Sequence, residues 1–292
     1  PPIGKESLYA TQFKNLPIGQ MEEKFADYGE VQIKQLNDRS KMYYTPNKEN
    51  NVFQLVVQYG AGEREFPKLG YAAQLMNNAG IMGAYEPQEL KEELSKLNAT
   101  CHVTADDDNL YIIMEGYEAT LPQACQLLSR QILMPKLDEK QLARLKGSAM
   151  GMRQQRKDNV SILNEALRQY MLYGEKSDYI KELTDKEIYE LQISELTGDI
   201  NRASNYEAKV FFTGTLPFDQ VYDILSKNLP LVANERPSNS PQAKDMMPVT
   251  ENTVYFLPNN DAEQAQIHLY IPMQKADKKD DVLLSLIHIS EP

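Results

Sequence analysis

A change of hydrophobic period beside a pair of glycines constrains this chain more than any other feature. Residues 51–60, NVFQLVVQYG, are dominated by β-branched and aromatic side chains, and Gly60 and Gly62 end the run, so the stretch reads as a strand. In PKLGYAAQLMNNAG the period turns helical: Leu69, Ala72, Ala73 and Met76 fall at i, i+3, i+4 and i+7 and make one apolar stripe. Pro67 suits the first turn of that helix and Gly80 its end.

Around this switch the pattern continues. VQIKQL and KMYYTPN read as a short paired-strand region, and EPQELKEELSKLN as a short helix. ATCHVTAD and NLYIIMEGY read as two strands joined by the acidic turn DDDN, a hairpin. From Thr120 the chain is helical for a long way. TLPQACQLLSRQIL starts with a Thr cap and an early Pro, and two longer helices follow over 138–158 and 159–174. TDKEIYEL opens with a capping box, Thr184 and Glu187. YEAKVFFTG is a buried strand ending in Gly214, and PFDQVYDILSKNL an amphipathic helix. A polar stretch with three prolines over 231–250 is the best linker in the chain. Beyond it NTVYFLPNN and AEQAQIHLYIP read as strands and ADKKDDVLLS as the start of a helix.

The expected fold class is therefore α+β: an antiparallel-rich sheet with helices packed on one face, followed by the start of a second similar domain. The boundaries are an incoming linker at 1–30, the α+β domain at 31–235, a Pro-rich linker at 236–250 and the start of the second domain at 251–284. The tail SLIHISEP, 285–292, reads as non-native and receives no function. The chain is expected to be a fragment.

Charge and residue usage exclude several classes. A net charge of −11 disfavours nucleic acid or an anionic membrane as partner, since both need a basic face. No run approaches the roughly 18 apolar residues of a membrane span. Cys101 and Cys125 allow one disulfide at most and fit no zinc spacing. The three histidines, His102, His268 and His288, have no further ligand at helical spacing. Asp106, Asp107 and Asp108 lack the spacing and glycine of a calcium loop and read as a solvated turn. There is no phosphate-binding loop and no nucleophile elbow, and Gly60, Gly62 and Gly70 are too loosely spaced for a dinucleotide fingerprint. RQQRKD, Arg153 to Asp158, reads as a helix surface. From its residues alone this is a catalytically empty α/β chain.

The order of elements resembles the insulinase/pitrilysin family of zinc metallopeptidases, the inverzincins, across roughly residues 40–230. In an active domain of that family a His-x-x-Glu-His helix supplies two zinc ligands and a general base, and a Glu on a later helix completes the site. When GYAAQLMNNAG is laid on that segment, Ala73 takes the first His position, Met76 the Glu and Asn77 the second His. The later Glu is expected within 147–156, which contains no acid. The resemblance thus extends to the scaffold and not to the catalytic motif, so no residue here is assigned as catalytic, metal-binding or cofactor-binding.

Members of the family pair a zinc half with a zinc-less half around a peptide-holding chamber, and this chain resembles the zinc-less half. The resemblance implies an inactive chain that forms one wall of that chamber. Zinc would belong to the parent enzyme's catalytic half, the partners being that half and a peptide substrate. The substrate-contacting Arg and Tyr of related enzymes would lie beyond the last residue here. The alternative reading is a non-peptidase scaffold or assembly subunit on the same fold. Cytoplasm and periplasm remain equally open.

Overall fold

The structure, a computed structural model, describes residues 28–157, 159–231, 237–238, 245–258, 265 and 267–271. The chain divides into two units, Pro1–Val31 and Gln32–Pro292. Of the first, only a 3-10 turn at Tyr28–Glu30 is a described element, so most of the expected incoming linker lies outside the described residues. The expected helix from Ala276 and the 285–292 tail also lie outside them.

The second unit is built on a six-stranded sheet. In chain order its strands are β1 (Gln32–Gln35), β2 (Lys41–Pro46), β3 (Val52–Tyr59), β5 (Ala99–Ala105), β6 (Leu110–Tyr117) and β8 (Ala208–Gly214). A two-stranded patch pairs β4 (Gly80–Ile81) with β7 (Pro135–Lys136). The described helices are α1 (Leu69–Met76), α2 (Pro87–Lys96), α3 (Leu121–Leu133), α4 (Glu139–Lys157), α5 (Val160–Tyr173), α6 (Asp178–Lys181), α7 (Asp185–Tyr189), α8 (Ile193–Ala203) and α9 (Phe218–Asn228).

Strand order across the large sheet is β1-β2-β8-β3-β6-β5. Neighbours run antiparallel except β2 and β8, which pair in parallel with Met42 opposite Val210. β3 is central because alternate residues fit it for the core: Phe53, Leu55, Val57 and Tyr59 are all at most 1% exposed. Leu110, Ile112 and Met114 of β6 and Val210 and Phe212 of β8 turn the same way, and Phe53 stacks on Phe212 at 6.1 Å between centroids. Onto that face pack the stripes of α1, α3, α8 and α9, from Leu69, Ala72, Ala73 and Met76 through Leu128, Ile200 and Leu225. Burying each of the larger ones, the leucines, Ile200 and Met76, contributes about 1.5–3 kcal/mol. The expectation of an antiparallel-rich sheet covered by helices holds, with one parallel pair making it mixed.

Local chemistry sets the ends of the elements. Asn98 takes the left-handed conformation at φ 48°, a conformation asparagine tolerates, and turns α2 into β5. The Thr184–Glu187 capping box forms, with Glu187 Oε2 accepting from the Thr184 N–H at 2.7 Å. In the β5–β6 turn, Asp106 Oδ1 accepts from the N–H groups of Asp108 (2.8 Å) and Asn109 (2.7 Å), so the acidic run is a turn as expected.

Three expectations are corrected. The helix read over 67–80 stops at Met76, and Gly80 opens β4 instead of ending the helix. Thr120 does not cap α3: its hydroxyl donates to the carbonyls of Leu97 (2.7 Å) and Tyr117 (2.9 Å), which tie the end of β6 to the end of α2. Finally, residues 252–258 and 267–271 lie in no strand. Their apolar side chains, Val254 and Phe256 among them, stay exposed because no described strand pairs with them.

Candidate functional site

The C-terminal end of α1 is the place to look for chemistry, since Ala73, Met76 and Asn77 sit there. α1 presents Leu69, Ala72, Ala73, Leu75 and Met76 to the core, and Ala73 and Met76 are each 1% exposed. Two of the three positions therefore belong to the apolar interior. Asn77, which follows the last helical residue, is half-buried and makes two bonds to one residue of β5. Its Nδ2 donates to the Val103 carbonyl at 2.9 Å, and its Oδ1 accepts from the Val103 N–H at 2.7 Å. From α3, the buried Gln131 amide donates to the carbonyls of Met76 (3.2 Å) and Ala79 (3.3 Å), the first of which also accepts from the Ala79 N–H at 3.1 Å. The end of the helix is thus a closed polar junction of amides and backbone.

The N-terminal end is held by a carboxylate. Glu63 accepts from the Gly70 N–H, and a side chain at Gly70 would displace that carboxylate, the movable end of the Glu63 side chain. Burial, then the charges of Asp107, Asp106 and Glu182, push the Glu63 carboxyl above the usual carboxylate range, against the opposing pull of the Gly70 bond.

Between α1 and α4 lies a cleft of about 440 Å³ whose polar lining is Gln74, Asn77, Asn78, Gln141, Arg144 and Ser148. The part of α4 facing Asn77 is thus 141–148, earlier than the 147–156 stretch in which a third ligand is expected, and it contains no acid either. Further along, Arg153 turns away to Asp185 at 2.6 Å and Arg156 to Glu182, pinning α4 to the start of α7 and the segment before it. A divalent zinc needs three or four converging imidazole, thiolate or carboxylate donors. A methyl, a thioether, amides and a guanidinium do not fit it, and among the described residues no group of three His, Cys, Asp or Glu side chains could hold a metal ion.

The other sequence candidates are dispersed. His102 is exposed on the outer face of the sheet, while Cys101 beside it is half-buried. Cys101 and Cys125 are both free thiols, and burial pushes each up to about 12, which suppresses the reactive thiolate. The sequence reading missed Gln131 and the Asn77–Val103 pair, which depend on contacts 55 and 26 residues apart in the chain.

This geometry has solved counterparts. A peptidase M16 inactive domain from Pseudomonas fluorescens superposes with a TM-score of 0.60 at 19% identity, over 73% of this chain and 54% of that one. The chain has the insulinase-type fold. The periplasmic protease PqqL from Escherichia coli matches at TM-score 0.59 and 13% identity, covering 83% of this chain and 29% of that one. A mutant of the ferredoxin protease FusC, in complex with Arabidopsis ferredoxin, gives 0.62 and 12% identity, with 82% and 29% covered. This insulinase-type chain therefore spans about half or less of the length of these structures. No family model and no curated protein matches it in sequence. No described helix is long and apolar enough to cross a membrane.

Proposed function

We propose that this chain is part of the non-catalytic half of an insulinase-like zinc metallopeptidase. In this reading it forms one wall of a peptide-holding chamber, and the hydrolytic zinc sits in a separate half. The observation that carries it is the junction at the end of α1. The scaffold matches an inactive peptidase domain, and the positions that the sequence resemblance sets against ligands and base hold Ala73, Met76 and Asn77 in a packed, hydrogen-bonded arrangement. A wall needs surface and rigidity and has no need of its own metal, because one zinc-bound water is enough for peptide hydrolysis. The peptide substrate and the zinc half are the partners of this reading, and a periplasmic location is compatible with the PqqL likeness.

The test is metal analysis and a peptidase assay on the purified chain, alone and mixed with a zinc-bearing half. Alone it should hold well under one zinc per chain and cleave no peptide. Together the halves should give chelator-sensitive hydrolysis exceeding that of the zinc half by itself. Chelator-sensitive hydrolysis by the isolated chain would overturn the proposal. Grafting the motif, with Ala73→His, Met76→Glu and Asn77→His, should create no tight zinc site. Ala73→His overpacks the core at a cost of about 1–3 kcal/mol, Met76→Glu buries a carboxylate there, and no third ligand faces them.

A further inference from the structure

β5 is the last strand of the sheet, so one side of its backbone has no strand partner among the described residues. An edge of this kind is a template for pairing with another chain, and proteins blunt it with charges, Pro or bulges. Ala99–Ala105, ATCHVTA, has none of these: it holds no Lys, Arg, Asp, Glu or Pro and pairs residue for residue with β6, so its protection falls to α1 and α2, which pack against it. In an antiparallel ladder the N–H and C=O of one residue point to the same side and alternate along the strand. The groups of Val103 that meet Asn77 therefore point away from β6, and those of Cys101 and Ala105 point the same way. The Asn77 amide supplies one donor and one acceptor to Val103, at 2.9 and 2.7 Å, as a residue of an added strand would.

We propose that Asn77 is an edge guard: by occupying the outward N–H and C=O of Val103 it keeps β5 from pairing with β5 of a second copy of this chain. An uncharged edge is self-complementary about a two-fold axis, so a second copy is the occupant such an edge selects. Asparagine suits the task because its planar amide carries both functions. Aspartate offers only the acceptor, and alanine neither.

Amide exchange and sedimentation on the full chain test this. In the unaltered chain the Val103 amide should exchange roughly tenfold or more slowly than the Cys101 amide, and the chain should stay monomeric as concentration rises. In Asn77→Ala the Val103 amide should fall to the Cys101 rate at low concentration, and a concentration-dependent dimer should form that protects both amides. Asn77→Leu, which retains size and offers neither donor nor acceptor, should show the same change, and it keeps the test informative should Asn77→Ala not fold. Adding Val103→Pro to either variant removes the outward donor without touching the β6 ladder and should restore the monomer. Equal exchange at Val103 and Cys101 in the unaltered chain overturns the proposal. So does a monomer at every concentration once Val103 is unprotected, or a dimer that persists with Val103→Pro.

Discussion

β8 and the stretch 252–258 carry the same alternation of apolar side chains, yet Val210 and Phe212 are 0% and 1% exposed while Val254 and Phe256 are 89% and 82% exposed. Ile267 and Leu269 repeat the second outcome at 90% and 83%. What separates them is the neighbourhood. β8 lies between β2 and β3, paired on both edges and covered on one face, while 252–258 has no described strand beside it. It touches the rest of the unit at a few points, such as the Tyr255 ring edge-on to Tyr170. Alternation states that a segment can line one face of a sheet; the ladder and the covering layer must come from elsewhere in the chain or from another.

The largest effect expected from this contrast is at the two phenylalanines. Phe212→Ala opens a cavity between β3 and the helices and should lower unfolding stability by about 3–5 kcal/mol in denaturant titrations. Phe256→Ala removes a ring that is already in water and should change it by no more than about 0.5 kcal/mol. Comparable losses at both positions would break the comparison, because they would mean that 252–258 packs in solution.

Next in size is the anchor at the exit of β8. Glu118, buried at the end of β6, accepts from the Thr215 N–H and hydroxyl and from the Leu216 N–H, the last at 3.1 Å. These bonds fix the turn from β8 into α9. Glu118→Ala leaves those donors without their acceptor and should cost about 1–3 kcal/mol, read as a lowered thermal midpoint. In 252–258, Thr253 bonds only the carbonyl of Glu251, two residues away, at 3.4 Å, and Thr253→Ala should be neutral within about 0.5 kcal/mol.

The same contrast explains what could be read from the sequence. β3, the β5–β6 hairpin, α1 and α9 were legible because each buries one face at a regular period, and the pairing they need lies within the described unit. The lack of zinc-type donors at 73, 76 and 77 was legible too, since it depends only on which residue types stand there. Illegible were the features made by distant parts meeting: the parallel β2–β8 pair, Gln131 on the Met76 carbonyl, and Asn77 on Val103. Thr120 misled for the same reason, its hydroxyl being drawn to Leu97 from a separate element. Glu63 gave no signal in the sequence either, as a lone acid before a helix is common.

That carboxylate gives the smallest effect and the one most specific to its cause. Its proton is held more tightly in the folded chain than in the unfolded one, because burial and the neighbouring acids Asp107, Asp106 and Glu182 penalise the ionised form. Its contribution therefore favours folding most below the ordinary value of 4.5 and is lost as pH rises through the raised folded value. Glu63→Gln keeps an oxygen for the Gly70 N–H and cannot ionise. The variant should be more stable than the unaltered chain at neutral pH, with the advantage shrinking towards zero below pH 4.5, as unfolding titrations across that range would show. A variant less stable at neutral pH would mean that the ionised carboxylate is worth more as a cap on α1 than it costs beside three other acids.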